Sequence, residues 1–230
     1  MKNIKGLFTA FIMFCCVSFG YAQPGGVTSG LSVWLKADAG VSSIGTSWLD
    51  QSGNGRHYTT VAGPTVIASD AGGNNIPAVE ILNGGFNGPA SAAIGTSWTL
   101  FSVHRLLPSD ASGRLIDGAT GNNLLANWGT YSRGIYLTGN PNQYNVPIAT
   151  TANTQIKTLY CYTRDAATGN ITVRVNGVFI KTFTGTNTAS GVVWDLNQGA
   201  LSHESSDSRI GEFIIYNRAL SGAEITNVEG

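Results

Sequence analysis

One short stretch limits the fold of this chain more than any other: ITVRVNGVFIKTF, residues 171–183. Apolar and polar residues alternate on both sides of Asn176-Gly177. That dipeptide is the strongest short-range signal for a β-hairpin, because a tight type I′ turn needs positive φ at both central positions. The stretch therefore predicts two antiparallel strands joined by a two-residue turn.

The two-residue turn also predicts which residues pair, since loop length sets the register of a hairpin. The packed face should carry the pairs Val175–Val178, Val173–Ile180 and Ile171–Thr182. The opposite face, which should be partly exposed to solvent, should carry the pairs Arg174–Phe179 and Thr172–Lys181.

Similar strand patterns recur along the chain, each bounded by turn residues. They cover residues 31–37, 78–82, 97–107, 113–118, 123–128, 134–139, 156–165 and 211–217. Residues 59–77 are predicted to be a long loop inside the domain. With 30 glycines and only 11% charged residues, the composition favours an all-β protein, either a sandwich or a barrel.

The C-terminal end predicts a single short helix. Ser221 and Glu224 form the capping box S-x-x-E, and Leu220 and Ile225 occupy the staple positions around it. The chain stops at Gly230, after barely two helical turns. We expect the natural domain to continue beyond this point.

Residues 1–22 are predicted to be a signal peptide. Lys2 and Lys5 precede an apolar run of suitable length, and small residues then lead to a cut between Ala22 and Gln23. The mature chain, residues 23–230, should form one domain that is secreted or displayed at the cell surface. No membrane insertion is expected after the leader is removed.

Charge and cysteine content narrow the function further. The basic residues are scattered singly along the sequence and form no cluster of the kind that binds nucleic acid. Cys15 and Cys16 lie within the apolar core of the leader, which argues against a lipoprotein. Cys161 is the only cysteine left, and its apolar strand predicts a buried side chain rather than a reactive thiol.

Four stretches together resemble a known family. They are LSVWLKADAGV, WLDQSGNGRHY, the hairpin ITVRVNGVFI, and IGEFIIYNRALSGAEI. The chain resembles the laminin-G-like branch of the concanavalin-A-like lectin/glucanase superfamily, in the form common in exported bacterial surface proteins. This resemblance implies a jelly-roll β-sandwich of two antiparallel sheets. It also implies binding of glycans or other surface ligands, frequently with calcium, often as one module of a longer adhesin.

The superfamily also includes glucanases, so hydrolysis must be considered. Those enzymes carry E-x-D-x-E or E-x-D-x-x-E on one strand, and no such motif occurs here. Glu204 and Asp207 read as a polar loop, and Glu80 stands alone. We therefore expect no enzyme, although a fold with two carboxylates about 5–10 Å apart in a cleft would revive a hydrolase.

Two sets of residues are candidates for ligand binding. Asp50, Asn54 and Asp117 lie on loop-like segments and could bind calcium, although Asp50 could equally cap its own loop. Aromatic rings with neighbouring polar groups suit a sugar. They are Trp128, Tyr131, Arg133, Asn142 and Tyr144, with Trp128 open to a second interpretation as a core residue.

Glu212 sits at the entrance of an apolar strand, where an unpaired charge would be costly. We expect a structural role with an arginine partner. The candidates are Arg209, Arg218 and Arg114.

The favoured function is a secreted, non-catalytic module that binds a glycan or cell-surface ligand for adhesion. The alternative is a structural spacer of a larger surface protein. The sequence makes no prediction of oligomeric state.

Overall fold

The computed structural model describes residues 23–41, 46–61, 65–82, 84–108, 113–128, 131–138, 155–185, 189–197 and 205–230. The predicted signal peptide, residues 1–22, lies outside these ranges. Within them the chain forms two antiparallel β-sheets and one short C-terminal helix, which confirms the predicted all-β sandwich.

The elements follow one another along the chain in a simple order. The strands are β1 (Leu31–Lys36), β2 (Ser47–Trp48), β3 (Tyr58–Thr60), β4 (Thr65–Asp70), β5 (Ile76–Ile81), β6 (Phe86–Asn87), β7 (Trp98–Leu106), β8 (Ile116–Gly118), β9 (Leu124–Trp128), β10 (Tyr131–Tyr136), β11 (Thr158–Asp165), β12 (Asn170–Val175), β13 (Val178–Thr184), β14 (Trp194–Leu196) and β15 (Ser208–Tyr216). The α-helix is α1 (Gly222–Glu229), and 3-10 turns span Pro24–Gly26, Ala71–Gly73 and Ala90–Ala92.

One sheet has eight strands in the order β13-β12-β11-β7-β15-β5-β4, with β1 also paired to β15. The other has seven strands in the order β10-β9-β8-β14-β6-β3-β2. Their inner faces form the main core, because alternate residues of each strand point to the same side. Trp98 and Trp194 meet edge to face across this core, with ring centroids 6.0 Å apart.

A second apolar cluster covers part of the outer face of the eight-stranded sheet. Phe101, Ile214 and Tyr216 pack there against Leu220 and Ile225 around α1. Strand β15 is therefore apolar on both faces, as its sequence predicts. Cys161 also lies in this cluster, and burial raises the pKa of its thiol to about 12. The predicted burial of Cys161 is confirmed.

The predicted capping box begins α1. The Ser221 hydroxyl accepts a hydrogen bond from the Glu224 amide at 3.3 Å, and the Glu224 carboxylate accepts one from the Ser221 amide at 2.9 Å. Both staple residues, Leu220 and Ile225, are buried. Within the described residues, no helix combines the length and the apolar composition needed to cross a membrane.

The hairpin register is correct near the turn and wrong beyond it. Val175 pairs with Val178 and Arg174 with Phe179, but a β-bulge follows. The pairs beyond the bulge are Val173–Lys181, Thr172–Thr182 and Ile171–Phe183. The extra residue turns the Phe183 side chain into the core, where it is 5% exposed, and leaves Thr182 outside. Burial of a phenyl ring outweighs a regular ladder on this edge strand.

The prediction of a loop over residues 59–77 is also wrong. The segment contains the end of β3 and the whole of β4, which pairs with β5. Gly63-Pro64 before the strand and Gly72-Gly73 after it favour a loop, although Thr65, Val66 and Ile67 are β-branched. Strands β2, β6 and β14 were missed as well, because two or three residues are too few to show a period.

Candidate functional site

The motif W-x-D-x-S-G-N-G forms a loop that is fastened to β1. Asp50 Oδ1 accepts hydrogen bonds from the main-chain amides of Trp34 and Ser52, both at 2.9 Å. Asp50 Oδ2 accepts bonds from the Ser52 hydroxyl at 2.7 Å and the Arg56 amide at 3.0 Å. The Asn54 side-chain amide donates to two carbonyls of β1. Each polar residue of the motif thus holds the loop against the sheet.

The structure does not bring the three predicted calcium ligands together. Asp50 and Asn54 share the loop after β2, whereas Asp117 lies in β8, four strand positions away in the same sheet. At the usual strand spacing, β8 and β2 lie about 19 Å apart in the sheet. Among the described side chains, no group of three or more His, Cys, Asp and Glu residues could hold a metal ion. Calcium binding stays a prediction.

Asp117 has a different acidic neighbour, Asp195, which lies directly opposite it in β14. Both side chains are buried, and Asp195 Oδ1 accepts a hydrogen bond from the Gly88 amide at 2.7 Å. Burial, reinforced by the charge of Asp117, raises the pKa of Asp195 to about 6. Arg114 Nη1 lies 4.0 Å from Asp117 Oδ2. No local pattern reveals this acid pair, because its members come from distant parts of the chain.

The predicted arginine partner of Glu212 is wrong. Glu212 Oε1 instead accepts a hydrogen bond from the Trp34 indole Nε1 at 2.5 Å. Burial raises the pKa of the Glu212 carboxyl, and the Trp34 bond opposes that shift. The three candidate arginines bond elsewhere: Arg209 to Asp70 and Glu80, Arg218 to Glu224, and Arg114 to Asn122.

Glu212 lines a cleft that arises from an irregularity of the eight-stranded sheet. One edge of β15 pairs with β7 over its length, but the other edge is shared by two strands. Residues 208–210 pair with β5, and residues 212–216 pair with β1. Gly211 lies at the change of partner, and β15 also bulges there against β7.

We call this depression, between the end of β1 and the start of β5, the junction cleft. Its volume is about 250 Å³. It is lined by Lys36, Asp38, Ile76, Pro77, Val103, Lys157, Gly211 and Glu212. Apolar side chains and charges of both signs therefore meet in one small space on the outer face of the sheet.

Lys157 is the unusual member of the junction cleft. Its Nζ is buried and has no hydrogen-bond partner among the described residues. Burial lowers the pKa of this amine, while Asp70 and Glu212 oppose the shift through their charge. A Cβ on Gly211 would lie 2.9 Å from Nζ. The lysine reaches its position because residue 211 has no side chain.

A closed network of ion pairs lies on the same face. Asp70 Oδ1 accepts bonds from Arg105 Nη2 and Arg209 Nη1, both at 2.6 Å. Arg209 also donates twice to Glu80 Oε2, at 2.8 and 2.6 Å. The bond from Arg105, assisted by Arg209, lowers the pKa of Asp70 to about 2. The two arginines and two acids satisfy one another and join β4, β5, β7 and β15.

The aromatic residues predicted to bind sugar lie partly within the described chain. Trp128 ends β9, and Tyr131 and Arg133 lie in β10, at the edge of the seven-stranded sheet. The backbone register places Tyr131 directly opposite Trp128. Asn142 and Tyr144 lie outside the described residues. We call β9 and β10 together the edge hairpin.

Comparisons with known proteins bear on the fold. No family model matches the sequence, and no curated relative does. Solved structures do match the fold. Domain 4 of AbnA, a GH43 extracellular arabinanase from Geobacillus stearothermophilus, was solved with arabinotriose. Its TM-score is 0.56 at 14% identity, and the match covers 88% of this chain and 99% of that one.

Larger proteins contain the same sandwich as a part. Trypanosoma rangeli sialidase in complex with sialic acid matches with a TM-score of 0.58 at 16% identity, over 87% of this chain and 32% of the sialidase. The binding domain of botulinum neurotoxin DC in complex with rat synaptotagmin II matches with a TM-score of 0.56 at 14% identity. That match covers 88% of this chain and 52% of the other.

These matches support the predicted β-sandwich at the level of the fold. One of the matching domains was solved with arabinotriose and another with synaptotagmin. At these identities the likeness shows the fold alone, so the function must be argued from the sites described above.

Proposed function

We propose that this chain is a non-catalytic binding module that recognises a carbohydrate. The observation that carries the proposal is the edge hairpin, whose register sets Tyr131 directly opposite Trp128 at the margin of a sheet. Both residues are aromatic, and the backbone pairs their positions directly. Aromatic rings are suitable platforms for the C–H face of a sugar.

The structural neighbours support the same function. Domain 4 of the arabinanase, which this fold matches over almost its full length, was solved with arabinotriose. The neurotoxin domain was solved with synaptotagmin. Similar sandwiches therefore occur elsewhere in domains that were solved with a bound ligand. In this proposal the leader exports the module, and it acts outside the cell in adhesion.

A glycan array with the folded mature chain tests the proposal, with and without a chelator. We expect binding to at least one class of glycan, and the chelator arm tests the predicted calcium. Trp128→Ala and Tyr131→Ala should each weaken binding at least tenfold. Phe179→Ala is the matched control, because Phe179 is an exposed aromatic residue in the edge strand of the other sheet. Silence of the folded wild type in both arms would refute the proposal.

A second function, glycoside hydrolysis, is favoured by one observation. The junction cleft contains two carboxylates, Glu212 and Asp38. Burial raises the pKa of Glu212, which suits a general acid. Against this, Asp38 is half exposed and pairs with Lys36 at 3.3 Å. Release of a fluorescent aglycone from a panel of glycosides, lost in both Glu212→Gln and Asp38→Asn, would establish this function in place of the first.

A further inference from the structure

The junction cleft presents one group that can only donate hydrogen bonds and one that, when ionised, can only accept them. The Lys157 ammonium has three donors, and the Glu212 carboxylate has lone pairs beyond the one that Trp34 Nε1 occupies. Lys157 Nζ has no bond to Glu212 or to any other described residue. A buried polar group without a partner is rare in folded proteins and calls for an explanation.

The neighbouring charges do not supply that explanation. Asp70, the other acid that acts on Lys157, is already bonded to Arg105 and Arg209. Asp38 is paired with Lys36 at the rim. The protein thus places an ammonium near Asp70, whose carboxylate is already bonded to two arginines, and near Glu212, to which it makes no bond, in the lining of a cleft.

Gly211 shows that this position of the amine depends on the local backbone. The bulge at the change of strand partner brings Gly211 under Lys157, and any Cβ there would crowd both Cε and Nζ. Bulges are frequent next to functional sites because they redirect a side chain. Here the bulge and the missing side chain together direct an amine into the cleft.

We propose that the junction cleft is a separate binding subsite for a neutral sugar unit. One sugar hydroxyl accepts a hydrogen bond from Lys157, and a neighbouring hydroxyl donates one to Glu212. This inference rests on the proposed carbohydrate function but concerns a different face of the sandwich from the edge hairpin.

The charges of the cleft favour a neutral hydroxylated ligand over an ion. Two lysines and two acids line the space, so their formal charges cancel. An anion would meet Glu212 and Asp38, and a cation would meet Lys36 and Lys157. A hydroxyl both donates and accepts, so adjacent hydroxyls can satisfy the amine and the carboxylate together.

The apolar part of the lining completes the match. Val103 and Pro77 line the same space, and Ile76 at its rim is 48% exposed. A sugar ring has a C–H face that packs on such side chains while its hydroxyls reach the polar groups. The volume of about 250 Å³ accommodates a single sugar unit rather than a long chain.

Titration of the isotope-labelled mature chain, followed by amide NMR shifts, tests the inference directly. The probes are neutral methyl glycosides and arabinotriose, with sodium acetate and methylammonium chloride at the same concentrations as ionic controls. We expect shifts at Val103, Gly211 and Glu212 with a neutral sugar and none there with either salt. Shifts at these amides with acetate or methylammonium instead would identify an ion site and overturn the proposal.

Variants separate binding from folding. Lys157→Met should weaken sugar binding at the cleft at least tenfold and raise Tm by about 2–4 °C, because it removes a buried charge without a partner. Gly211→Ala should weaken binding a few fold by displacing the amine. Lys181→Met, at an exposed lysine of the same sheet, should change neither property. Wild-type affinity in Lys157→Met would overturn the proposal, and a lowered Tm would show the amine to be structural.

The two proposals fail in different ways. If glycans bind the folded chain and Trp128→Ala abolishes the binding, but no cleft amide shifts, the carbohydrate function stands and the junction subsite is wrong. If no glycan or glycoside binds anywhere, both are wrong.

Discussion

Two aspartates with little solvent exposure, one in each sheet, have pKa values that are shifted in opposite directions. Asp70 is 1% exposed and Asp195 is 6% exposed. The pKa of Asp70 is about 2, whereas that of Asp195 is about 6. Asp70 accepts bonds from two arginines, but Asp195 accepts one from the Gly88 amide and faces another acid, Asp117.

At Asp70 the bonds from the two arginines outweigh the effect of burial on the pKa, whereas at Asp195 burial is the largest cause of the raised pKa. The two sites must therefore have opposite effects on stability as pH changes. Asp70 stabilises the fold above its unfolded pKa, and that contribution is lost as pH falls toward 2. Asp195 is tolerated when protonated, and its ionisation costs stability as pH rises from about 4 through 6.

The largest effect should come from breaking the closed network. Asp70→Asn removes the charge that Arg105 and Arg209 share, and it leaves the buried Arg105 guanidinium without its acid partner. We expect the free energy of unfolding at pH 7 to fall by about 3 kcal/mol. Urea denaturation measures this, with Asp38→Asn as the exposed control, where the change should stay below about 1 kcal/mol. Equal losses in the two variants would contradict the network as a source of stability.

The converse substitution should stabilise the protein. Asp195→Asn keeps the acceptor for the Gly88 amide but cannot ionise. The free energy of unfolding should rise by about 2 kcal/mol at pH 8, and the gain should vanish near pH 4. Denaturation curves at both pH values test the sign. A gain that is the same at pH 4 and pH 8 would exclude titration of Asp195 as its cause.

Removal of the N-cap of α1 should change the free energy of unfolding less than substitution of either buried aspartate. Ser221→Ala removes the hydroxyl that accepts from the Glu224 amide. Loss of such a cap typically costs about 1 kcal/mol, and α1 covers part of the outer face of the sheet. Ser29→Ala, in an exposed turn, is the control. If thermal denaturation finds no difference between the two variants, the cap contributes nothing to the docked helix.

Substitution of Glu224 should change the free energy of unfolding least. Glu224 has a lowered pKa like Asp70 but is partly exposed, so the two variants differ mainly in burial. Its bond with Arg218 lowers the pKa of Glu224 to about 2, as in Asp70, but the pair lies at the surface. Glu224→Gln keeps the capping box and removes only the charge. We expect its urea midpoint to match that of Asp38→Asn. A loss as large as that of Asp70→Asn would mean that pKa alone, without burial, predicts stability.

The same comparison distinguishes Lys157 from the other basic residues of the sheet. Arg105 and Arg209 donate hydrogen bonds to Asp70 and Glu80, whereas the Lys157 side chain lines a cleft. Arg105 and Arg209 thus have hydrogen-bond partners within the protein, whereas Lys157 on the same face has none among the described residues. In our proposal the ligand binds at Lys157.

Local sequence determined the elements that depend on neighbours along the chain. The Asn176-Gly177 turn, the long apolar strands and the capping box of Ser221 and Glu224 all follow from residues within about ten positions of one another. They were predictable because turn geometry and side-chain alternation are local properties. The all-β class followed from their sum.

Tertiary structure decided everything that joins distant segments. The bulge beyond Phe179 appears only when Phe183 has a core to enter. The bond from Trp34 to Glu212 spans 178 positions of sequence, and the junction cleft exists only because β1 and β5 share one edge of β15. No local sequence pattern encodes contacts between such distant residues, because the order of strands in a sheet depends on how its two faces are buried. The protonation state of a side chain then depends on the groups that this packing places next to it.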